Sequence, residues 1–174
     1  MRNTKKVTMS AILVSLGAIF MALGALVEVV DLTVCALASL IVVFVYLEIG
    51  SPYTWLTWLA TALVSFIIFP AKPIWLNYLL LFGIYPILKA YIEKLPRPSW
   101  IFLKLGYANG VFIALFFLMD AIFGMSLFDS DLVIVKAVLW GVMIIGFIAY
   151  DLFITVSVRI YYAKIRQKFI RFLK

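Results

Sequence analysis

Long apolar stretches separated by short polar breaks run through the whole chain. About 20 apolar residues of helix cross a hydrocarbon layer roughly 30 Å thick, and six stretches have about that length. The predicted spans are Val7–Val30, Leu32–Ile49, Tyr53–Phe69, Ile74–Ile92, Trp100–Phe123 and Leu132–Val158. The pattern predicts an all-α integral membrane protein, a compact bundle of six transmembrane helices that forms one domain over residues 1–174.

Glycine, proline and charged residues mark the breaks between these stretches. Gly50, Ser51 and Pro52 follow the second span, and further prolines follow the third and the fourth. Such residues favour turns. Because each break is short, consecutive spans are expected to be antiparallel neighbours. The fourth span also contains Pro86 in its middle, which predicts a kink.

The composition excludes a soluble domain. The 174 residues are 67% hydrophobic and 13% charged, against about 45–50% apolar and 25% charged in soluble domains. One cysteine, Cys35, and the absence of histidine exclude an intramolecular disulfide and the usual zinc and haem ligand sets. No serine has a histidine to activate it, so we expect no enzyme, no metal and no other cofactor.

The basic residues indicate how the spans are oriented. Thirteen of the fifteen fall on one side of the predicted spans, and the exceptions are Lys72 and Lys136. Cytosolic segments are rich in lysine and arginine, so both termini are expected in the cytosol. The net charge of +7 lies at the ends of apolar spans, which argues against a nucleic-acid partner. Residues 159–174 form a predicted basic amphipathic tail that lies on the anionic inner surface of the lipid bilayer.

Two rows of small side chains offer close helix packing. The first span carries a stripe, here called the small stripe, at alternating spacings of four and three: Ala11, Ser15, Ala18, Ala22 and Ala25. Small residues let helix backbones approach closely in lipid, so the small stripe packs inside the bundle or docks another membrane protein. The fifth span carries Gly106, Gly110 and Ala114, interrupted by Asn109, and this second row is expected to be internal.

Ionisable residues inside a membrane span mark sites by default. Asp120 lies near the outer end of the fifth span and Lys136 at a similar depth in the sixth. We expect a structural ion pair between them, with a ligand-binding pair in an outward pocket as the alternative. The start of the fourth span adds Trp75, Asn77 and Tyr78 at the same level. An aromatic face with one amide suits a flat heteroaromatic ligand, whereas Trp75 is also an ordinary interfacial residue.

A second charged set lies toward the cytosol. It consists of Glu48, Lys89, Lys104 and Asp151. Two acids and two bases at similar depth neutralise one another, so this set predicts a structural clamp.

Together these features resemble a family of membrane proteins. A basic start leads directly into TKKVTMSAILVSLGAIFMAL, in which Ala18 and Ala22 stand four residues apart, and six spans follow with cytosolic ends. This layout resembles the substrate-binding S components of energy-coupling-factor vitamin transporters. The segments FGIYPILKAYIEKL and YDLFITVSVRIYY also resemble those of uncharacterised six-helix membrane proteins of Gram-positive bacteria.

The resemblance implies a function and a location. It implies a non-enzymatic subunit in a bacterial plasma membrane that captures a small, vitamin-like molecule at the extracellular face. Ala18 and Ala22 would dock on a transmembrane coupling subunit that works with ATPases. These proteins often have a longer first extracellular loop than this chain, in which Val30 and Asp31 leave almost none. The alternative is a membrane scaffold or assembly protein, like the six-helix rod-shape protein, that binds protein partners through the small stripe.

The predicted orientation is testable by labelling cysteines placed at three positions. Cysteines at Asn3 and Gln167 should be shielded from impermeant reagents added to intact cells, whereas one at Ser130 should react, because the positively charged ends stay inside. The measurement is the labelled fraction of each variant. Labelling of the Asn3 variant from outside would reverse the orientation and move the outward site to the cytosol.

Overall fold

The structure, a computed structural model, describes residues 3–124 and 133–165, apart from the side chains of Glu28, Arg97, Val133 and Ile165. Within these residues the chain is helical with short connections. Seven α-helices occur in the order α1 Asn3–Leu26, α2 Asp31–Glu48, α3 Ser51–Ile68, α4 Ile74–Asn77, α5 Tyr85–Ile92, α6 Arg97–Phe123 and α7 Val133–Ile160. A 3-10 turn covers Glu28–Val30, and π-helical segments cover Tyr78–Phe82 and Tyr161–Ile165.

Six of these helical stretches are long and apolar enough to cross a membrane, which confirms an all-helical fold with six helices of spanning length in the described residues. The fourth stretch combines α4, the first π segment and α5. The predicted first span was wrong at its end, because α1 stops at Leu26 and not at Val30: Val27 leaves the helical region with φ −116° and ψ 85°. Residues 166–174 of the predicted tail lie outside the described residues. Leu132, the first residue of the predicted sixth span, also lies outside them.

The chain divides into two units, Met1–Asp131 and Leu132–Lys174, here called unit 1 and unit 2. Unit 1 contains α1 to α6, and unit 2 contains α7 and the second π segment. Each unit is described by itself. The single domain remains a prediction.

Helix α2 lies at the centre of unit 1. It packs against α1, α3 and every part of the fourth span. Its buried residues recur at helical spacing: Val34, Cys35, Ala38, Ser39, Ile41, Val42 and Val45. A face of this width buries one side of a helix, so α2 holds α1, α3 and the fourth span together.

Large apolar side chains cover much of the surface of unit 1. Phe102, Phe117 and Ile67 are 79%, 74% and 74% exposed. Soluble monomers rarely expose continuous apolar surface on this scale. The surface therefore suits a hydrocarbon environment.

Two glycines adopt backbone conformations that other residues rarely reach. Gly50 precedes α3 with φ 109°, and Gly124 ends α6 with φ 62°. The Gly124 N–H donates to the carbonyl of Asp120 at 2.9 Å, closing the last turn of α6. Glycine is favoured there because it has no Cβ to clash. Both lie where the sequence predicted a break.

The fourth span is irregular around Pro86, as its proline predicted. Pro86 occupies the first turn of α5, where a missing N–H is tolerated. Before it, the Gly83 N–H donates to the carbonyl of Tyr78, five residues back, at 2.7 Å. This π geometry widens the helix by one residue and disturbs the regular ladder of hydrogen bonds.

Side chains from two neighbouring helices hydrogen-bond to the π segment. Trp58 Nε1 on α3 donates to the carbonyl of Leu79 at 3.1 Å. Tyr107 Oη on α6 donates to the carbonyl of Leu80, and its ring stacks on Tyr85 with centroids 5.5 Å apart. Backbone carbonyls in hydrocarbon need such partners, so the π segment is tied to α3 and α6.

Gly83 allows the close approach of Trp58 to the fourth span. A Cβ at Gly83 would lie 2.5 Å from Trp58 Cδ1 and 2.9 Å from the carbonyl oxygen of Tyr78. The second contact is with backbone, which yields less easily than a side chain. Any larger residue at Gly83 therefore strains the π segment.

Substituting Gly83 with alanine should destabilise the protein by about 1–3 kcal/mol, the usual cost of overpacking. The matched control is Gly110→Ala on α6, because a Cβ at Gly110 meets no atom within 4 Å. Thermal unfolding in detergent measures both variants. Equal melting temperatures would contradict the close packing of Trp58 on Gly83.

Candidate functional site

The small stripe of α1 runs from the surface of unit 1 into its core. Ala11 and Ser15 are exposed, Ala18 and Ala22 are half-buried, and Ala25 is buried at 6% exposure. The Ser15 hydroxyl donates to the carbonyl of Ala11 at 3.1 Å, so it offers little to a partner. Most of the small stripe thus lies at the edge of the packed face of α1.

Helix α1 packs on its neighbours through a different face. Ser10, Gly17, Met21 and Gly24 are buried on it, roughly a quarter turn around the helix from the small stripe. A Cβ at Gly17 would lie 3.0 Å from Thr61 Cγ2 on α3. Sequence reasoning missed this face, although Ser10, Gly17 and Gly24 recur at intervals of seven.

The small row of the fifth predicted span is not internal as expected. Gly106 and Gly110 on α6 are exposed, and a Cβ at either would meet no atom within 4 Å. Asn109 donates through Nδ2 to the carbonyl of Leu105 at 2.8 Å. Its amide therefore has a hydrogen bond within α6 itself.

The three candidate ligand residues of the fourth span have different surroundings. Trp75 is half-buried and packs edge-to-face on Phe66, with ring centroids 4.8 Å apart. Asn77 is half-buried, whereas Tyr78 is fully buried at 0% exposure. Tyr78 therefore belongs to the core of unit 1, and Trp75 belongs to its aromatic rim.

Asp120 and Lys136 belong to different units. Asp120 is exposed on α6, one turn before Phe123, whose ring lies 6.4 Å from that of Trp75. The structure thus brings the end of α6 beside the start of the fourth span. Lys136 is half-buried on α7 in unit 2 and has an interaction of its own. The ion pair between the two residues stays a prediction.

A group of buried hydroxyls lies in the core of unit 1 and is here called the hydroxyl cluster: Thr57, Thr61 and Tyr78. Their exposures are 1%, 1% and 0%, and within the described residues none of the three hydroxyls makes a hydrogen bond. The Thr61 and Tyr78 hydroxyls nevertheless lie near enough to be hydrogen-bonding neighbours, although the contact lacks good hydrogen-bond geometry. Burying such groups without partners is costly, so the cluster is a candidate polar site.

The same face of α3 shows how these hydroxyls differ from ordinary helical ones. Thr54 donates to the carbonyl of Gly50 at 3.0 Å, and Ser65 donates to that of Thr61 at 2.7 Å. Bonds of this kind are the usual solution for hydroxyls in helices. Thr57 and Thr61 lie between these two residues and do not use it. Within the described residues the Thr57 hydroxyl has no hydrogen bond, and the nearest candidate partner of the Thr61 hydroxyl is Tyr78.

The predicted cytosolic clamp contains a residue that sequence reasoning missed. Glu93 Oε1 lies 3.0 Å from Lys104 Nζ and 3.7 Å from Lys89 Nζ. Lys89 is 4% exposed, and a buried ammonium needs such a partner. Glu93 stands four residues after Lys89, a helical spacing that could have revealed it. Glu48 has an interaction within the structure, and Asp151 belongs to unit 2.

An apolar groove of about 340 Å³ runs between α1 and α2. Its lining consists of Leu13, Phe20, Leu37, Leu40, Ile41 and Phe44. None of these side chains offers a hydrogen bond to a polar ligand, so the groove differs from the expected outward pocket. Within residues 3–124 and 133–165, no three cysteine, aspartate or glutamate side chains come together as a metal site would need.

Comparisons with protein-family models, with curated proteins and with solved structures find no match to this chain. Three features of unit 1 are candidates: the small stripe, the hydroxyl cluster and the basic residues near Glu93.

A larger side chain should destabilise the protein more on the buried face of α1 than on the small stripe. Gly17→Leu should destabilise unit 1 by at least about 1–3 kcal/mol, because its side chain meets Thr61. Ala18→Leu, at the edge of the packed face, should cost less than about 1 kcal/mol. Thermal unfolding in detergent compares them, and a larger loss for Ala18→Leu would show that the small stripe is a packed interface within the chain.

Proposed function

We propose that the chain is a multi-pass subunit of a bacterial plasma membrane, with both termini in the cytosol, that binds a small molecule for uptake. It works together with a transmembrane coupling subunit, which docks on the small stripe of α1. The carrying observation is that α1 packs within unit 1 through Gly17 and Gly24 and keeps Ala11 and Ser15 exposed. A helix whose packing needs are met elsewhere has a face left for a partner.

The ligand is a small neutral molecule with hydrogen-bonding groups. Thr57, Thr61 and Tyr78 supply three buried hydroxyls that make no hydrogen bond of good geometry in the described structure, and each can donate and accept. Asn77 lies one residue before Tyr78, and Trp75 supplies an aromatic face nearby. A ligand bound there would satisfy hydroxyls that otherwise remain costly.

A membrane scaffold is the second candidate. It needs the small stripe and no ligand, and the wholly apolar lining of the groove between α1 and α2 favours it. The two functions differ in what the hydroxyl cluster does. In a scaffold the cluster is only an energetic cost, whereas in a binding subunit it holds the solute.

The experiment purifies the tagged full chain from a Gram-positive bacterium under gentle conditions and identifies bound proteins and small molecules by mass spectrometry. We expect a coupling subunit with ATPases and one small molecule in near-stoichiometric amount. Ala18→Leu should abolish the protein partner, since a bulky side chain separates the helices, and leave the small molecule bound. Thr61→Val combined with Tyr78→Phe should do the reverse.

Ser65→Ala is the matched control for the hydroxyl cluster, because its hydroxyl bonds within α3. It should retain both the partner and the small molecule. A partner without any small molecule would support the scaffold. Loss of neither in any variant would contradict both functions.

A further inference from the structure

We propose that unit 1 binds the phosphate headgroup of an anionic phospholipid at the corner where α5 ends and α6 begins. This corner, the α5–α6 corner, is formed by Tyr91, Lys94, Leu95, Trp100 and Lys104. The site requires only that the helices span a membrane, and it does not depend on the proposed uptake function.

Lys94 supplies an accessible positive charge at the α5–α6 corner. Its side chain is exposed, and its Nζ lies 4.9 Å from the centre of the Tyr91 ring. Within the described part of the chain, the lysine packs on this ring and on no carboxylate. A cation held by an aromatic face keeps its charge available, so Lys94 is ready to meet an anion.

Lys104 adds a second positive charge from α6. Its Nζ lies 3.0 Å from Glu93 Oε1 and 5.9 Å from the centre of the Trp100 ring. These contacts hold the side chain in one place beside the end of α5. The side chains of Lys104 and Glu93 are 15% and 36% exposed, so Glu93 partly neutralises Lys104, and Lys94 supplies the more accessible charge of the corner.

The aromatic residues place the corner at headgroup depth. Trp100 donates through Nε1 to the carbonyl of Leu95 at 2.6 Å, and the Tyr91 hydroxyl lies 3.3 Å from Ser51 Oγ. Tryptophan and tyrosine are enriched where hydrocarbon meets headgroups. Lys94 and Lys104, which each lie over one of these rings, are therefore expected at the level of lipid phosphates.

An exposed apolar surface continues from the corner along α6. Ile101 and Phe102 are 65% and 79% exposed, and Leu95 beside them is 48% exposed. Acyl chains pack on such a surface while the headgroup contacts the lysines. A phospholipid can contact the lysines with its headgroup and the apolar surface with its acyl chains, whereas a free phosphate ion can contact only the lysines. The proposed occupant is therefore a phospholipid.

The opposite end of unit 1 provides a contrast. Its basic residue is Lys72, and Asp31 lies at the same end, beside Gly24 and Ile74. The basic end has Lys6, Lys89, Lys94 and Lys104, and Lys6 also lies over a ring, 5.8 Å from the centre of Tyr53. Anionic lipid is attracted to clustered lysines near the surface, so the two ends should differ in lipid binding.

The test measures lipid retained by the full chain, purified in detergent and mixed with phosphatidylglycerol and phosphatidylcholine of matched chains, by native mass spectrometry. The wild-type protein should retain phosphatidylglycerol in preference to phosphatidylcholine. Lys94→Gln should weaken that preference about fivefold, the effect of one lysine near an anionic surface, and Lys94→Arg should restore it. Lys72→Gln removes the same charge at the opposite end and should change nothing.

Three outcomes would overturn the proposal. Equal losses in Lys94→Gln and Lys72→Gln would show attraction by net charge alone. Unchanged preference in Lys94→Gln, with its melting temperature kept, would remove the site from this corner. Displacement of the lipid by millimolar inorganic phosphate would show a soluble anion as the occupant. Should Lys94→Gln fail to fold, Tyr91→Phe combined with Trp100→Phe tests the aromatic support by the same readout.

Discussion

The need to satisfy backbone carbonyls around Pro86 organises unit 1. Proline removes one donor from the fourth span, and the π segment before it changes the pairing of the residues between. Trp58 from α3 and Tyr107 from α6 donate to two carbonyls of that segment. In hydrocarbon no water can replace these donors. The irregular span therefore brings α3 and α6 to its two sides.

The register set by these two hydrogen bonds accounts for contacts at both ends of the fourth span. Toward one end, the ring of Trp75 meets those of Phe66 and Phe123. Toward the other end, Glu93 reaches Lys104. The contacts of Trp75 with Phe123 and of Glu93 with Lys104 together require α6 to run antiparallel to the fourth span. The aromatic rim and the basic corner are thus consequences of one alignment.

Helix α1 separates packing from recognition. Its buried face uses glycines against Thr61 and Ile74, where a Cβ would lie 3.0 Å and 2.4 Å from their side chains. The first part of its small stripe, Ala11 and Ser15, faces the surface. Thr61 belongs both to this interface and to the hydroxyl cluster, so the packing of α1 on α3 lies next to the buried hydroxyls.

The sequence alone determined the helical class, the number of long apolar helices and most of the residues at which they begin and end. Length and apolarity are local properties, and the thickness of a hydrocarbon layer sets the helix length that is needed. The sequence also located the kink at Pro86 and the ends at Gly50 and Gly124. It did not determine which face of α1 is packed, because two small-residue periods coexist there. The close approach of Gly17 to Thr61 shows which of the two faces is packed. The exposure of Gly106 and Gly110 also required the structure, because it depends on neighbouring helices. The pairing of Glu93 with Lys104 and the isolation of the Thr57, Thr61 and Tyr78 hydroxyls likewise required the tertiary structure, since each depends on distances between residues far apart in the chain.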